Sequence, residues 1–400
     1  MSSYFEGPHR AAALRAALAG AAALITLSLV LVPAVSAATP REIVASRQTA
    51  ATQSLTAVQY DTNQRHANSA FGYFMNNYWN ASTKTFYSQS DQNPRPGGQA
   101  AAPMWWVAQA WDIVMDDYER TSTSWDRQLI DNVYDGWVAH HGSFSSTYND
   151  DRGWWALGAV RAYQLTGEKR FLTTAIAIAN DQWRFWDSTF GGGLWWRNNV
   201  RNQKNVATNA PAAMINATLY QITGTARFKT RAVALFSWVD TNLRSANRLD
   251  DRWQVPNQRV MVDYTYNYGT YIGAALDLYA ITGDHTYVDK ATSLADSALT
   301  RLTTNGVLRD EGTGDGGGFK GIFIRNFASL AAMGGTAITA NKGNSYASFV
   351  AHNANVLWYH RTALRLWGSN WAATPPSGPI DILTDSSAVS LLEAQALLAP

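Results

Sequence analysis

Two adjacent acids, Asp150 and Asp151, stand between Tyr148-Asn149 and Arg152-Gly153-Trp154-Trp155. The pair falls where a loop gives way to an apolar-periodic stretch, Trp154 to Leu165, which places both carboxylates at a helix start. A single Asp there could serve as an N-cap, but a cap does not explain two acids with a Trp pair behind them. A helix N-terminus favours negative charge and would keep one carboxylate ionised, as a nucleophile requires. Its neighbour, crowded by that charge, would have its pKa raised and could hold a proton. That is the division of labour glycoside hydrolysis uses. Adjacent Cα atoms are ~3.8 Å apart and the side chains can diverge, so the carboxylates could stand ~5–9 Å apart. That range covers both retaining and inverting geometries.

Two other acid pairs read differently. Asp116-Asp117 reads as the solvated end of a helix, and Asp250-Asp251 as part of a polar loop before Arg252-Trp253. The pairs Trp105-Trp106, Trp154-Trp155 and Trp195-Trp196 supply indoles near helix starts or in loops. At least one member of each belongs in a core; the others could stack on the C–H faces of sugar rings. The runs Gly191-Gly192-Gly193 and Gly316-Gly317-Gly318 would let backbone approach a bulky ligand.

Competing chemistries lack their residues. There are no cysteines, which excludes disulfides, thiolate catalysis and Cys-ligated metals. No Gly-x-Ser-x-Gly elbow, His-Glu-x-x-His or Walker-type loop is present, and Asp315 lacks EF-hand spacing. We therefore expect no metal and no cofactor. The balance of 32 Lys+Arg against 30 Asp+Glu gives no field for a polyanion, which argues against nucleic acid as a partner.

The elements that must position the dyad are helices. Tyr163-Gln-Leu-Thr-Gly167, Tyr220-Gln-Ile-Thr-Gly224 and Tyr279-Ala-Ile-Thr-Gly283 recur with glycines 57 and 59 residues apart. Each phrase ends one apolar-periodic stretch and precedes another, as Gly in the left-handed C′ position would allow. The repeating unit is helix, short turn, helix, long return loop. Six such units fit the chain, with the first hairpin near Thr52 to Tyr87, the second starting near Met104, and the last combining Tyr346 to Trp367 with Thr384 to Leu398. This is an all-α fold, a six-hairpin (α/α)6 barrel whose closed ring needs no terminal caps. The short Thr-Gly turns would share one face, and the long aromatic and Gly-rich loops the other, where the site belongs.

Arg10 and Arg15 precede an apolar run from Ala16 to Val32, followed by Pro33 and Val35-Ser36-Ala37. This is the pattern of a secretory signal over residues 1–37, leaving 38–400 as one catalytic domain. The mature protein is expected to be secreted by a bacterium, monomeric and free of membrane.

The sequence resembles glycoside hydrolase family 76, the endo-α-1,6-mannanases and related mannosidases. The likeness rests on Tyr148-Asn-Asp-Asp-Arg-Gly-Trp-Trp155, Trp106-Val-Ala-Gln-Ala-Trp-Asp112, Gly191-Gly-Gly-Leu-Trp-Trp196 and Lys204-Asn-Val-Ala-Thr-Asn209. Thr265-Tyr-Asn-Tyr-Gly269, Phe319-Lys-Gly-Ile-Phe323 with Arg325, and Asp385-Ser-Ser-Ala388 extend it across the chain. The resemblance implies retaining hydrolysis of internal α-1,6-mannosidic bonds, with Asp150 as nucleophile and Asp151 as general acid/base. By motif position it implies sugar contacts from Asn149, Trp155, Trp195, Trp196, Asn209, Tyr268 and Lys320, with α-mannan or a mannooligosaccharide as the partner. Thr208, Asp263, Tyr264 and Tyr268 depart from the family pattern and bear on linkage and chain-length preference. Two alternatives share these residues: a mannan transglycosylase of the same fold, and a non-catalytic glycan-binding protein.

Overall fold

A computed structural model describes residues 57–91 and 101–398. The signal segment lies outside the described residues. Among the described residues, twelve α-helices alternate between two concentric layers. The outer layer comprises α1 (Ala57–Tyr78), α3 (Ser124–His141), α5 (Lys169–Trp183), α7 (Ala226–Asn242), α9 (Thr286–Arg301) and α11 (Ala340–Trp358). The inner layer comprises α2 (Met104–Thr121), α4 (Asn149–Thr166), α6 (Val206–Thr223), α8 (Thr265–Thr282), α10 (Asp315–Ala331) and α12 (Ile382–Leu398). Each inner helix packs on the next, and α12 packs on α2 to close the ring. The fold is an (α/α)6 barrel.

Residue patterns separate the layers. In α7 the buried positions Phe228, Ala232, Leu235, Phe236 and Val239 form one stripe, as a surface helix requires. Helices α6, α8 and α12 are buried on nearly every side, and their sequences are rich in Ala, Ser, Thr and Gly. Small residues let the inner helices crowd together. A Cβ on Gly317 would lie 2.1 Å from Thr384 Oγ1, and one on Gly321 would lie 2.9 Å from Ser387 Cα. Ser387 Oγ donates to the Gly317 carbonyl at 2.5 Å and accepts from Gly321 N at 2.9 Å. The second glycine run thus serves helix packing inside α10 and not approach to a ligand. The first run also meets protein, since a Cβ on Gly193 would lie 2.6 Å from the Trp238 ring.

The recurring Thr-Gly phrases are one capping device used three times. Gly167, Gly224 and Gly283 have φ of 76°, 66° and 71°. Their N–H groups donate to the carbonyls of Tyr163, Tyr220 and Tyr279 at 2.7–2.8 Å. The preceding threonines donate back to Ala162, Leu219 and Leu278 and accept from the residue after each glycine. Each device turns an inner helix into its outer partner.

Hairpin partition differs from the sequence expectation at both ends. Residues 57–87 supply one helix and a two-residue β-hairpin, Trp79–Asn80 with Thr85–Phe86, not a pair of helices. Helix α11 pairs with α10, and α12 packs against α1. The sixth hairpin is therefore built from the first and last of the described helices. Asp116 and Asp117, expected at a solvated end, are buried. Arg161 and Arg325 bind Asp116 at 2.6 and 2.9 Å, while Asp117 pairs with Arg120, which also holds Glu393. A helix end that looks solvated in sequence meets charges from three other inner helices.

The inner helices begin on the face opposite the Thr-Gly turns. Over that face lies an antiparallel sheet in which Gln203–Asn205 pairs with Arg252–Gln254, which pairs with Gln258–Val260. Asn205 caps α6 by accepting from Thr208 N at 3.1 Å. Among the described residues, no helix is long and apolar enough to cross a membrane.

Candidate active site

Asp150 and Asp151 lie in the first turn of α4, both half-buried. A strap of residues 194–198 is laced onto residues 146–149, where the loop enters α4. Asn149 N donates to Trp196 O at 2.7 Å, Asn198 N to Thr147 O at 2.9 Å, and Asn198 Nδ2 to Ser146 O at 2.9 Å. The lacing brings Trp196 Nε1 to Asp150 Oδ2 at 2.9 Å. Asp150 Oδ1 accepts from Asp151 N at 3.1 Å. Asp151 Oδ2 accepts from Ser146 Oγ at 3.0 Å. Asp150 is thus fixed by two N–H donors and Asp151 by one hydroxyl.

Burial raises both carboxyls. Asp150 is pushed up to about 7, with the charge of Asp151 adding to the rise and the Trp196 hydrogen bond opposing it. Asp151 is pushed up to about 6, with the charge of Asp315 adding to the rise and Ser146 opposing it. The expectation that the helix N-terminus keeps one carboxylate low is not met, because loss of water outweighs a partial charge worth about 0.3–1 kcal/mol.

Asp315 opens α10 and is exposed. Its Oδ1 accepts from Trp105 Nε1 at 3.2 Å and Trp106 Nε1 at 2.9 Å, joining the start of α2 to the start of α10. Tyr266 packs on Phe319 with ring centroids 4.3 Å apart, and burial raises its phenol, with the charges of Asp251 and Asp150 adding to the rise. Tyr266 Oη donates to Asp251, which also takes Asn267 Nδ2 at 3.0 Å and pairs with Arg252 at 2.5 Å. The Asp250-Asp251 pair is thus structural, as its loop position suggested, and it anchors the wall beside Asp150.

Of the seven residues expected to touch sugar, only Trp196 reaches the dyad. Asn149 is wholly buried: its Nδ2 donates to Trp195 O at 2.8 Å, its Oδ1 accepts from Arg152, and its carbonyl accepts from Gln182. Trp155 lies in the core against Trp111, Trp137 and Phe144, and its Nε1 donates to Met104 O. Trp195 is buried, with Nε1 on Asp187 at 2.8 Å. Asn209 clamps Leu194 by accepting from its N–H at 2.7 Å and donating to its carbonyl. Tyr268 is buried on Asp263 and Leu249 N. Lys320 is buried against the Trp371 ring and donates to Ser369 O. These six shape the strap and the helix starts from beneath.

Sequence reading missed the anchor of the loop that leads into the strap. Lys204 is wholly buried, and its Nζ donates to Asp187 Oδ1 at 2.7 Å and to the carbonyls of Asp187, Thr189 and Gly192. Ser146 and the bridging role of Asp315 were missed as well. Nothing local marks a lone loop Ser, and Asp315 finds its two indoles 209 and 210 residues away.

The glycosyl hydrolase family 76 model matches residues 63–399. No curated protein matches the sequence significantly. Among solved structures, the chain is similar to the GH76A alpha-1,6-mannanase of Salegentibacter sp. HEL1_6, at 31% identity and a TM-score of 0.78, over 84% of this chain and 99% of that one. An inactive variant of that enzyme, with two consecutive aspartates replaced by asparagine, is known in complex with alpha-1,6-mannotriose. The Lin0763 protein of Listeria innocua is 29% identical with a TM-score of 0.75, over 84% of this chain and 97% of that one. The fold is shared with the mannosidase Bt3792 of Bacteroides thetaiotaomicron VPI-5482, at 20% identity and a TM-score of 0.72, over 84% of this chain and 98% of that one. With two neighbouring carboxylates at the open end of an (α/α)6 ring and a family match spanning nearly all described residues, this chain belongs to glycosyl hydrolase family 76.

Proposed function

We propose that the protein is an extracellular bacterial enzyme that hydrolyses internal α-1,6-mannosidic bonds with retention, through Asp150 and Asp151. The observation that carries this reading is the dyad itself. Two carboxyls share the first turn of α4, both raised toward neutrality, in a chain 31% identical to an α-1,6-mannanase inactivated by loss of two consecutive aspartates.

Asp150 attacks the anomeric carbon and forms a glycosyl ester, while Asp151 gives its proton to the leaving oxygen. Water then attacks the ester, Asp151 takes up the water proton, and Asp150 leaves as carboxylate. The two N–H donors on Asp150 suit an anion held at one place, and the single hydroxyl on Asp151 leaves it free to exchange a proton. In the free protein the higher value falls on Asp150. The coupled pair holds one proton between its two ionisations. The anomeric carbon turns positive in the transition state against Asp150, favours its ionised form and leaves the proton on Asp151.

Release of reducing ends from linear α-1,6-mannan tests the reading. Asp150→Asn and Asp151→Asn should each lower kcat by at least about a thousandfold. With an aryl mannoside whose leaving group needs no proton, Asp151→Ala should still form the ester, and mass spectrometry should find it on Asp150. Undiminished mannan cleavage in either Asn variant refutes the dyad.

A further inference from the structure

The open face carries a concavity beside Asp315. A cavity of about 550 Å³ lies between Asp310 and Thr313 on one side and the 368–381 loop on the other. It is joined to the described site through the start of α10. Gly314 N donates to Asp381 Oδ2 at 3.1 Å, which ties the cavity wall to the start of α10. Asp315 follows directly, and its charge is felt at Asp151.

The lining has a definite chemistry. Asp310 Oδ1 accepts from Gly312 N at 2.9 Å, leaving its second oxygen as an acceptor. Asn370 Oδ1 accepts from Ala372 N at 3.0 Å, leaving its amide NH2 as a donor. Ser369, Thr313 and Ser377 add hydroxyls, and Pro375, Pro376 and Pro379 give apolar faces. Among the described residues, no Lys or Arg lines the cavity. Lys320 lies beneath it, wholly buried and engaged on the Ser369 carbonyl, so it fixes the wall from behind. An anion would meet two carboxylates there and, among the described residues, no counter-charge in the lining. A neutral polyol would meet mixed donors and acceptors for its hydroxyls and prolyl faces for its C–H groups. The volume falls within the roughly 300–1,000 Å³ of small-ligand clefts.

We propose that this cavity is a further sugar subsite that takes a neutral hexopyranose unit of the substrate away from the scissile bond. The proposal rests on the glycosidase reading given above. The unit belongs either to the main chain or to a side branch, because the ring chemistry is the same.

Calorimetric titration separates the possibilities without turnover. The Asp150→Asn protein is titrated with linear α-1,6-mannooligosaccharides of increasing length, and with oligosaccharides carrying one α-1,2-linked side residue. Affinity should step up about tenfold at one added unit. A step on lengthening identifies a main-chain unit, and a step only on branching identifies a branch. The Asp310→Asn/Asn370→Ala double variant should abolish the step, as should Ser377→Trp, which fills the cavity. All three positions are exposed, so neither variant threatens the core. Absence of any step, or a step that survives both variants, overturns the proposal. The two readings fail separately. Hydrolysis by wild type without a step sinks only the subsite, and a step without hydrolysis by wild type sinks only the catalytic assignment.

Discussion

Asp150 and Asp151 each have only a few partners, and these set how the pair titrates. Catalysis needs the singly protonated dyad, so kcat/KM should rise through an apparent pKa near 6, fall through one near 7, and peak between them. Both values belong to the pair. Trp196 Nε1 stabilises the ionised form of Asp150, so Trp196→Phe should raise the pair's values and move the profile about one unit alkaline. The rate at the new optimum should also drop, about tenfold. The measurement is a pH series of kcat/KM for wild type and variant on the same oligosaccharide. Superimposable profiles mean that the indole hydrogen bond has no part in the dyad's charge.

The two faces of the ring are built by different elements and should fail differently. On the open face the loop that leads into the strap depends on Lys204, whose four donated bonds hold residues 187–192 in place. Lys204→Met leaves Asp187 and three carbonyls without that partner, at a cost on the order of 3 kcal/mol. Because the strap carries Trp196, kcat/KM should fall with it. On the far face Gly224 has φ 66° with nothing within 4 Å of an added Cβ. Gly224→Ala therefore costs only backbone strain, about 1 kcal/mol, and should leave kcat/KM unchanged. Denaturant unfolding and steady-state kinetics on both variants decide this. Equal losses of kcat/KM would end the separation of roles.

Over the whole molecule, stability at neutral pH is opposed by carboxyls closed inside the ring. Asp385 is wholly buried at the start of α12, and burial, with the charge of Asp381 added, pushes it up to about 8. Its folded value lies above its unfolded one. The stability it contributes is therefore fully present below about pH 4 and lost as pH rises toward 8. Asn does not titrate, so the melting temperature of Asp385→Asn relative to wild type should improve by several degrees between pH 5 and pH 8. A constant difference across that range would mean that Asp385 is already ionised in the fold.

Local sequence determined the helical hairpins, the Thr-Gly turns and the placing of Asp150 and Asp151 at a helix start. Periodicity and capping act within about one helical turn, so residues such as Tyr163 to Gly167 carry their own instructions. Pairing of α12 with the outer helix α1 was decided only by the tertiary structure, because it joins residues more than three hundred positions apart, as Gln64 and Ala396 show. The same holds for the buried Asp116, whose partners Arg161 and Arg325 come from α4 and α10. It holds most of all for the sugar contacts. Asn149, Asn209 and Lys320 have the groups that bind hydroxyls, and they spend them on the carbonyls and amides of the strap and loops. A donor aimed at a backbone carbonyl and one aimed at a sugar oxygen are the same residue in a sequence. Only the packed ring decides which of the two lies within reach.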